Sequence, residues 1–354
     1  MIDMVWNFPL LAGQGAEWQG YLERAVRSLH GENPVELRPT FRGADAALRA
    51  RAARWLESEP ERTWLTCGGH HGTLVALLAA ELAGKSIAVE RVTYTGMLDQ
   101  GRMLGCRLEN CAYDAEGMRA ESLDERCRNA DVMAAFLMPT VHNPMGCVAG
   151  LERRQEIVEV ARRHDIVLIE DDAYGYMVSD APPSYAKLAP ERTFSVRGLS
   201  KSVAPQTRTG FLVTPERFAG VMEGVIKSTT TGTSLAHNVA ALDLIEDGAW
   251  QRIVDAKLVE GHGRNAAARK ILGDAAQPGA ACAWHLWVCL PEGMTGMQAK
   301  EHLLERGVMV SPAEGFVPPG VKAPGAVRLA LGGEVERGTC LEGVVVVAEM
   351  IAAG

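Results

Sequence analysis

LERRQEIVEVARRHDIVLIEDDAY, residues 151–174, carries two periodicities separated by a single turn. In its first half Ile157, Val158, Val160 and Ala161 recur at helical spacing among charged residues, which predicts a helix over 151–164. In its second half, 166–169 is an unbroken apolar run too short for a helix. It reads as a strand buried on both faces. The run ends on Glu170, Asp171 and Asp172, where carboxylates are costly unless something pairs with them. On either side, the apolar runs 86–89, 132–138 and 193–196 have the same character, with helical patterns between them. Strand–helix alternation from about residue 51 to 213 implies an α/β fold, a mostly parallel sheet with helices on both faces. Active sites of such sheets gather at the carboxyl ends of the strands.

After Arg217 long helical patterns continue to about Leu272. A strand-like run at 283–290, a helix at 296–306, short strands at 308–310 and 326–331 and a final helix then read as a small α+β unit. Residues 311–324, with four prolines and two glycines, read as a loop bridging two strands.

The chain has 354 residues, enough to bury about three quarters of its unfolded surface without disulfides or metal. A hydrophobic content of 47%, a charged content of 23% and a net charge of −8 suit a globular protein and argue against a general nucleic-acid surface. None of the eight cysteines falls in a C-x-x-C pair, and several, such as Cys289, sit in apolar runs, so buried reduced thiols are expected. The amino terminus lacks the basic start of a signal peptide, and the apolar stretch from Gly343 onward is interrupted by Glu349 and too short for a bilayer. A cytoplasmic protein without membrane contact is the expectation.

Chemistry enters at Gly198-Leu199-Ser200-Lys201, followed by Arg208-Thr209-Gly210. A lone Ser-Lys pair is normally a surface loop. Here it follows an apolar strand, and Ser200 and Arg208 flank a lysine with a hydroxyl and a guanidinium, both able to hold a phosphate. Thirty residues earlier, Asp171 and Tyr174 end another strand; two adjacent aspartates there also suit a Mg²⁺ site, but no P-loop accompanies them. Asn143 precedes a proline in a turn, Asn143-Pro144-Met145-Gly146, that also follows a strand. Gly68-Gly69-His70-His71-Gly72 leads into an apolar helix, where backbone N–H groups can approach a phosphate. The paired histidines suggest a metal, yet neighbours at a helix start face different ways and no matching ligand spacing follows. Tyr94 is an aromatic ring free to stack. Pyridoxal 5'-phosphate makes these demands together: a lysine for a Schiff base, a carboxylate for its ring nitrogen, donors for its phenolic oxygen, a flat group over the ring and a phosphate cradle.

The set resembles fold-type I pyridoxal-phosphate enzymes of the class I/II aminotransferase group. The seven-residue step from Lys201 to Arg208, Trp6-Asn7-Phe8-Pro9 and residues 43–49 are most similar to the branch of aminoadipate and kynurenine aminotransferases and the effector domains of MocR regulators. The resemblance implies that Lys201 carries the cofactor and shuttles the substrate's α-proton, that Asp171 pairs with the ring nitrogen, and that Asn143 and Tyr174 hold the phenolic oxygen. It further implies that Tyr94 stacks, and that Gly69, His70, Ser200 and Arg208 hold the phosphate. Arg328, in an apolar strand, would grip the substrate α-carboxylate.

Three positions depart from the pattern. Gly69-His70 replaces a small polar pair, Gly198 stands where many relatives have serine, and Arg38 stands where relatives often carry a tyrosine that reaches the neighbouring subunit's phosphate. A rearranged phosphate cup is therefore expected. Arg38, Arg42, His70 and Phe316 are candidates to shape the pocket. The implied architecture is a seven-stranded, mainly parallel sheet in a large domain over 39–261. A small domain from 1–38 and 262–354 closes over the substrate, in a homodimer.

The resemblance implies an aminotransferase acting on an α-amino acid and an α-keto acid. A lyase, cyclase or oxidase on a specialised amino acid, diverging after the first proton transfer, is the alternative. A ligand-sensing domain without turnover is a third reading, disfavoured because the similarity begins almost at Met1 and the net charge is negative.

Overall fold

The computed structural model describes residues 1–29 and 46–353; the expected contacts of Arg38 and Arg42 fall outside them. In chain order the strands are β1 (Ile2–Met4), β2 (Thr63–Thr66), β3 (Ser86–Glu90), β4 (Arg107–Cys111), β5 (Tyr113–Asp114), β6 (Gly117–Met118), β7 (Val132–Leu137), β8 (Val167–Asp171), β9 (Thr193–Gly198), β10 (Gly210–Val213), β11 (His285–Cys289), β12 (Val308–Pro312) and β13 (Ala326–Ala330). The large sheet has seven strands in the order β2-β10-β9-β8-β7-β3-β4. Strands β9, β8, β7, β3 and β4 are parallel, each joined to the next in sequence through helices such as Leu151–Arg163 between β7 and β8. Only 11 residues, 199–209, separate β9 from β10. That is too short for a parallel crossover, so β10 runs antiparallel to both β9 and β2. The same short connection carries Lys201 and Arg208.

The four doubly buried apolar runs appear as β3, β7, β8 and β9, with every residue of β3 and β8 buried. Strands β2, β4 and β10 lie outside the apolar-run pattern. β4, Arg-Leu-Glu-Asn-Cys, sits at the sheet edge and is only partly buried, so its sequence stays polar. β2 and β10 are four residues each, too short to show a period.

A second sheet has the order β1-β12-β13-β11, so the amino-terminal strand pairs parallel with the tail. Met4, Leu286, Val310, Leu329 and Val344 build its core with the helices Ala249–Leu272 and Arg337–Ala353. The boundary proposed at residue 261 falls inside the unbroken helix Ala249–Leu272. Its first turns pack Ala249 and Ile253 on one core, and its last turns pack Ala268 and Leu272 on the other.

All eight cysteines are free thiols, and Cys111, Cys147, Cys282 and Cys340 are buried. Cys289 is exposed, against the expectation from its apolar surroundings: it ends β11 after four buried residues, where the strand leaves the core.

Candidate active site

The carboxyl ends of β2, β3, β7, β8 and β9 face one way, and the turn before β10 returns there because Gly210 pairs with both Gly198 and Thr66. A cavity of about 260 Å³ opens at this point. Its lining includes Gly69, His70, Tyr94, Asn143, Asp171, Tyr174, Ser200, Lys201 and Arg208. Residues far apart in the sequence thus share one wall system. Arg328 lies in an adjoining cavity of about 370 Å³ that shares Phe8, Tyr94, Asn143 and Lys201 with the first.

Lys201 stands in the short helix Leu199–Ser202 directly after β9. Its ammonium donates to the Asn7 carbonyl oxygen at 2.6 Å and lies 3.7 Å from the centre of the Phe8 ring. Burial, then the charge of Arg328, lowers its pKa to about 7, with Asp171 opposing. Asp171 is the last residue of β8. Among the described residues it accepts one hydrogen bond, from the Ala173 N–H at 3.1 Å, and burial lifts its carboxyl to about 6. A buried carboxylate is costly unless a cation pairs with it, and the Lys201 charge offsets part of that cost here.

The three acids diverge. Glu170 accepts from the N–H groups of Tyr185 and Ala186 on the far side of the strand. Asp172 pairs with Arg197. Only Asp171 faces the cavity, as alternation along a strand dictates. Likewise His70 and His71 part company. His70 lines the cavity beside Tyr94, with ring centroids 6.4 Å apart, whereas His71 accepts from the Cys67 N–H at 3.0 Å and meets Thr229 at 2.8 Å. The first borders the cavity, and the second is turned toward Cys67 and Thr229.

Arg328 is buried in β13 and donates to Asn143 Oδ1 at 3.1 Å, to Ser311 Oγ at 3.0 Å and to the Val5 carbonyl oxygen, leaving Nε without a partner among the described residues. Burial lowers its pKa to about 10. Because a guanidinium only donates, Asn143 must present its oxygen to Arg328 and its amide hydrogens elsewhere, toward the cavity it lines.

Arg208 adopts a left-handed backbone (φ 45°), which arginine rarely takes, and such strain persists only where the surroundings enforce it. Its guanidinium donates to the Cys67 carbonyl oxygen at 2.9 Å and packs on Gly68. The departure at Gly198 has a steric reason: a Cβ there would come 3.0 Å from the Gly69 nitrogen. Glycine at 198 lets β9 approach the start of the helix Gly69–Ala79, whose first N–H groups border the cavity.

Sequence reasoning assigned no role to Asn7, Phe8, Tyr176, Lys257 or His285. Lys257 is fully buried in the helix Ala249–Leu272 and donates to the carbonyl oxygens of Lys201 (3.0 Å) and Val203 (2.7 Å); Tyr176 donates to that same Lys201 oxygen at 3.0 Å. The available signal was a lysine on the apolar face formed by Ile253, Val254 and Leu258. Burial, then the charge of Lys201, lowers Lys257 to about 7 as well.

Two lysines depressed from 10.5 to about 7 set a pH dependence for the cofactor-free chain. Below pH 7 both are charged whether the chain is folded or not, and the folded chain carries the desolvation cost. Above it the unfolded chain binds more protons, so stability rises with pH until the unfolded lysines also deprotonate. The unfolding temperature of the cofactor-free chain is expected to rise from pH 7 to about 7.5, below the range near 8.5 where free thiols ionise in the unfolded chain. Calorimetry checks this, and a Lys201→Met/Lys257→Met double variant should lose the rise.

The donor set fits pyridoxal phosphate. An amine of lowered pKa, a buried carboxylate of raised pKa, an amide with its N–H groups turned inward, a ring for stacking and a guanidinium beside helix N–H groups converge on one cavity. Comparison with known proteins agrees. The chain is 23% identical over 288 residues to the uncharacterised helix-turn-helix regulator YdeF of Bacillus subtilis, covering 81% of this chain and 62% of that protein. It is 32% identical over 165 residues to aminotransferase swnA of Metarhizium robertsii, covering 42% of this chain and 33% of that one. The chain therefore spans less than two thirds of the length of these relatives. To 2-aminoadipate transaminase of Thermus thermophilus it is 24% identical over 84% of this chain and 78% of that protein. Among solved structures, an archaeal alanine:glyoxylate aminotransferase superposes with a TM-score of 0.89 at 22% identity, covering 100% of this chain and 91% of that one. The α-aminoadipate aminotransferase LysN of Thermus thermophilus gives 0.89 at 21%, covering 100% and 92%. These two likenesses establish the fold. The family model for aminotransferases of class I and II matches residues 22–340, and the chain belongs to that family.

Proposed function

We propose that the chain is a pyridoxal-phosphate-dependent aminotransferase that moves an amino group between an α-amino acid and an α-keto acid. The observation that carries this is the convergence of Lys201, Asp171, Asn143 and Tyr174 on one cavity, with Arg328 in the next. The cofactor supplies an electron-withdrawing ring conjugated to the substrate nitrogen. Asp171 stays ionised against the ring nitrogen and holds its proton. Asn143 Nδ2 and the Tyr174 hydroxyl donate to the phenolic oxygen. Arg208, Ser200 and the backbone N–H of Gly69 face the phosphate, with His70 and Tyr94 closing the cavity over them. Arg328 takes the substrate α-carboxylate in place of the Val5 carbonyl oxygen, as a bidentate pair. Lys201 Nζ, about half of it uncharged at pH 7, would accept the proton from the substrate α-carbon and hold it for delivery to the carbon across the substrate nitrogen, on the cofactor side.

The reading includes a homodimer in the cytoplasm without nucleic-acid contact, with the β1-β12-β13-β11 sheet closing over the substrate. It rests on the likeness to aminotransferases, on the net charge of −8 and on the absence, among the described residues, of a helix long and apolar enough to cross a membrane. A monomer in light scattering would remove the dimer.

The half-reaction tests the function. The cofactor-loaded chain, mixed with amino acids and no keto acid, should convert one equivalent of cofactor to its amine form and stop. A chain that shows no visible cofactor band refutes the reading. Continued product formation or oxygen uptake points to a lyase or oxidase. The similarity to YdeF favours ligand sensing as the second reading; binding of an amino acid without any conversion would support it.

A further inference from the structure

His285, in β11, is buried with Asn7 and Tyr174; its ring centroid lies 5.5 Å from that of Tyr174, and its polar link to the Tyr174 hydroxyl runs through Asn7. Its Nε2 lies 2.9 Å from the His142 carbonyl oxygen. A carbonyl only accepts, so Nε2 carries the ring proton and Nδ1 keeps a lone pair. Asn7 Nδ2 sits 3.0 Å from that Nδ1 and 2.8 Å from Tyr174 Oη. The amide therefore spends one hydrogen on each. Turning the amide over would set its oxygen against the Nδ1 lone pair. The other ring tautomer would set the Nε2 lone pair against the His142 oxygen. Holding this orientation leaves Asn7 Oδ1 buried without a partner among the described residues, a cost the His285 contact offsets.

The consequence falls on Tyr174. Its oxygen is an acceptor from Asn7, so its own proton must point away, and among the described residues no acceptor takes it. The cavity lies in that direction, beside Asn143 and Asp171. Lys201 is tied to the same residue through the Asn7 carbonyl oxygen.

We propose that His285 is a positioning residue for Tyr174: acting through the Asn7 amide, it fixes the phenol as a donor into the cavity. The inference rests on the cavity's being a pyridoxal-phosphate site.

A double-mutant cycle tests it. The dissociation constant of pyridoxal phosphate is measured by tryptophan fluorescence of the cofactor-free chain, together with the visible band of the bound cofactor, for wild type, Tyr174→Phe, His285→Phe and the double variant. Each single change should weaken binding about 5- to 10-fold, the value of one buried hydrogen bond, and shift the band alike. The double variant should match the singles, because both remove one donor. His285→Asn, whose amide can accept near the place of Nδ1, should restore most of the affinity. Multiplying losses in the double variant, or an unshifted band in His285→Phe, overturns the inference. Should His285→Phe fail to fold, Asn7→Leu replaces it with the same two outcomes. Loss of cofactor binding in the wild type itself would instead sink the cofactor reading.

Discussion

A chain carrying Lys201→Met is expected to lose turnover by at least about 10⁴-fold, since on the proposed function one change removes both the covalent anchor and the group that moves the α-proton. Borohydride treatment should leave no cofactor adduct in the mass spectrum, whereas the wild type gains one on the peptide containing Lys201. The same substitution should raise the unfolding temperature of the cofactor-free chain at pH 7. Burial pushes the lysine down from 10.5 to about 7, so the folded chain carries a cost there that an apolar stem of similar length avoids. Function lost and stability gained together mark a residue held for chemistry. A lysine serving the fold would lose both. The neighbouring Lys257 provides the contrast: its two bonds, to the carbonyl oxygens of Lys201 and Val203, anchor the turn that presents Lys201.

The parts of the site legible in sequence are those carried by strand ends. Asp171, Asn143 and Lys201 each follow an apolar run buried on both faces, and such a run announces itself through its composition. Arg208 was legible because it stands seven residues from Lys201 with a guanidinium able to hold a phosphate. Strands β2 and β10 were too short to show a period, and β4 was too polar at the sheet edge. The residues missed act across long separations. Asn7 meets Tyr174 at a distance of 167 positions and His285 at 278, and no local pattern encodes either contact. His285 looks like any alternating strand residue until the His142 carbonyl oxygen fixes its tautomer. Gly198, read as a lost hydroxyl, leaves room for the Gly69 nitrogen, which a Cβ at 198 would approach to 3.0 Å, on a helix more than a hundred residues earlier. Local chemistry was readable; the packing that orients it was not.

Asp171→Asn should lower turnover about 10³-fold while leaving the cavity's shape unchanged. Removing one member of a buried ion pair costs about 3–5 kcal/mol, equivalent to about 10²- to 10⁴-fold in rate if the pair is needed at the transition state. The cofactor-free chain supplies an independent readout of opposite sign to that of the lysines. Burial raises the Asp171 carboxyl from 3.8 to about 6, so the folded chain holds its proton more tightly than the unfolded chain does. Its contribution to stability is full below about pH 4 and is lost as pH rises through 6. Asparagine at 171 should abolish that decline and leave the cofactor-free chain more stable than wild type at pH 7. A carboxylate bonded to a single N–H, that of Ala173, and destabilising by its charge serves no fold. Its stability deficit closes only when a cation enters beside it, so the asparagine chain should gain less stability from added pyridoxal phosphate than the wild type does.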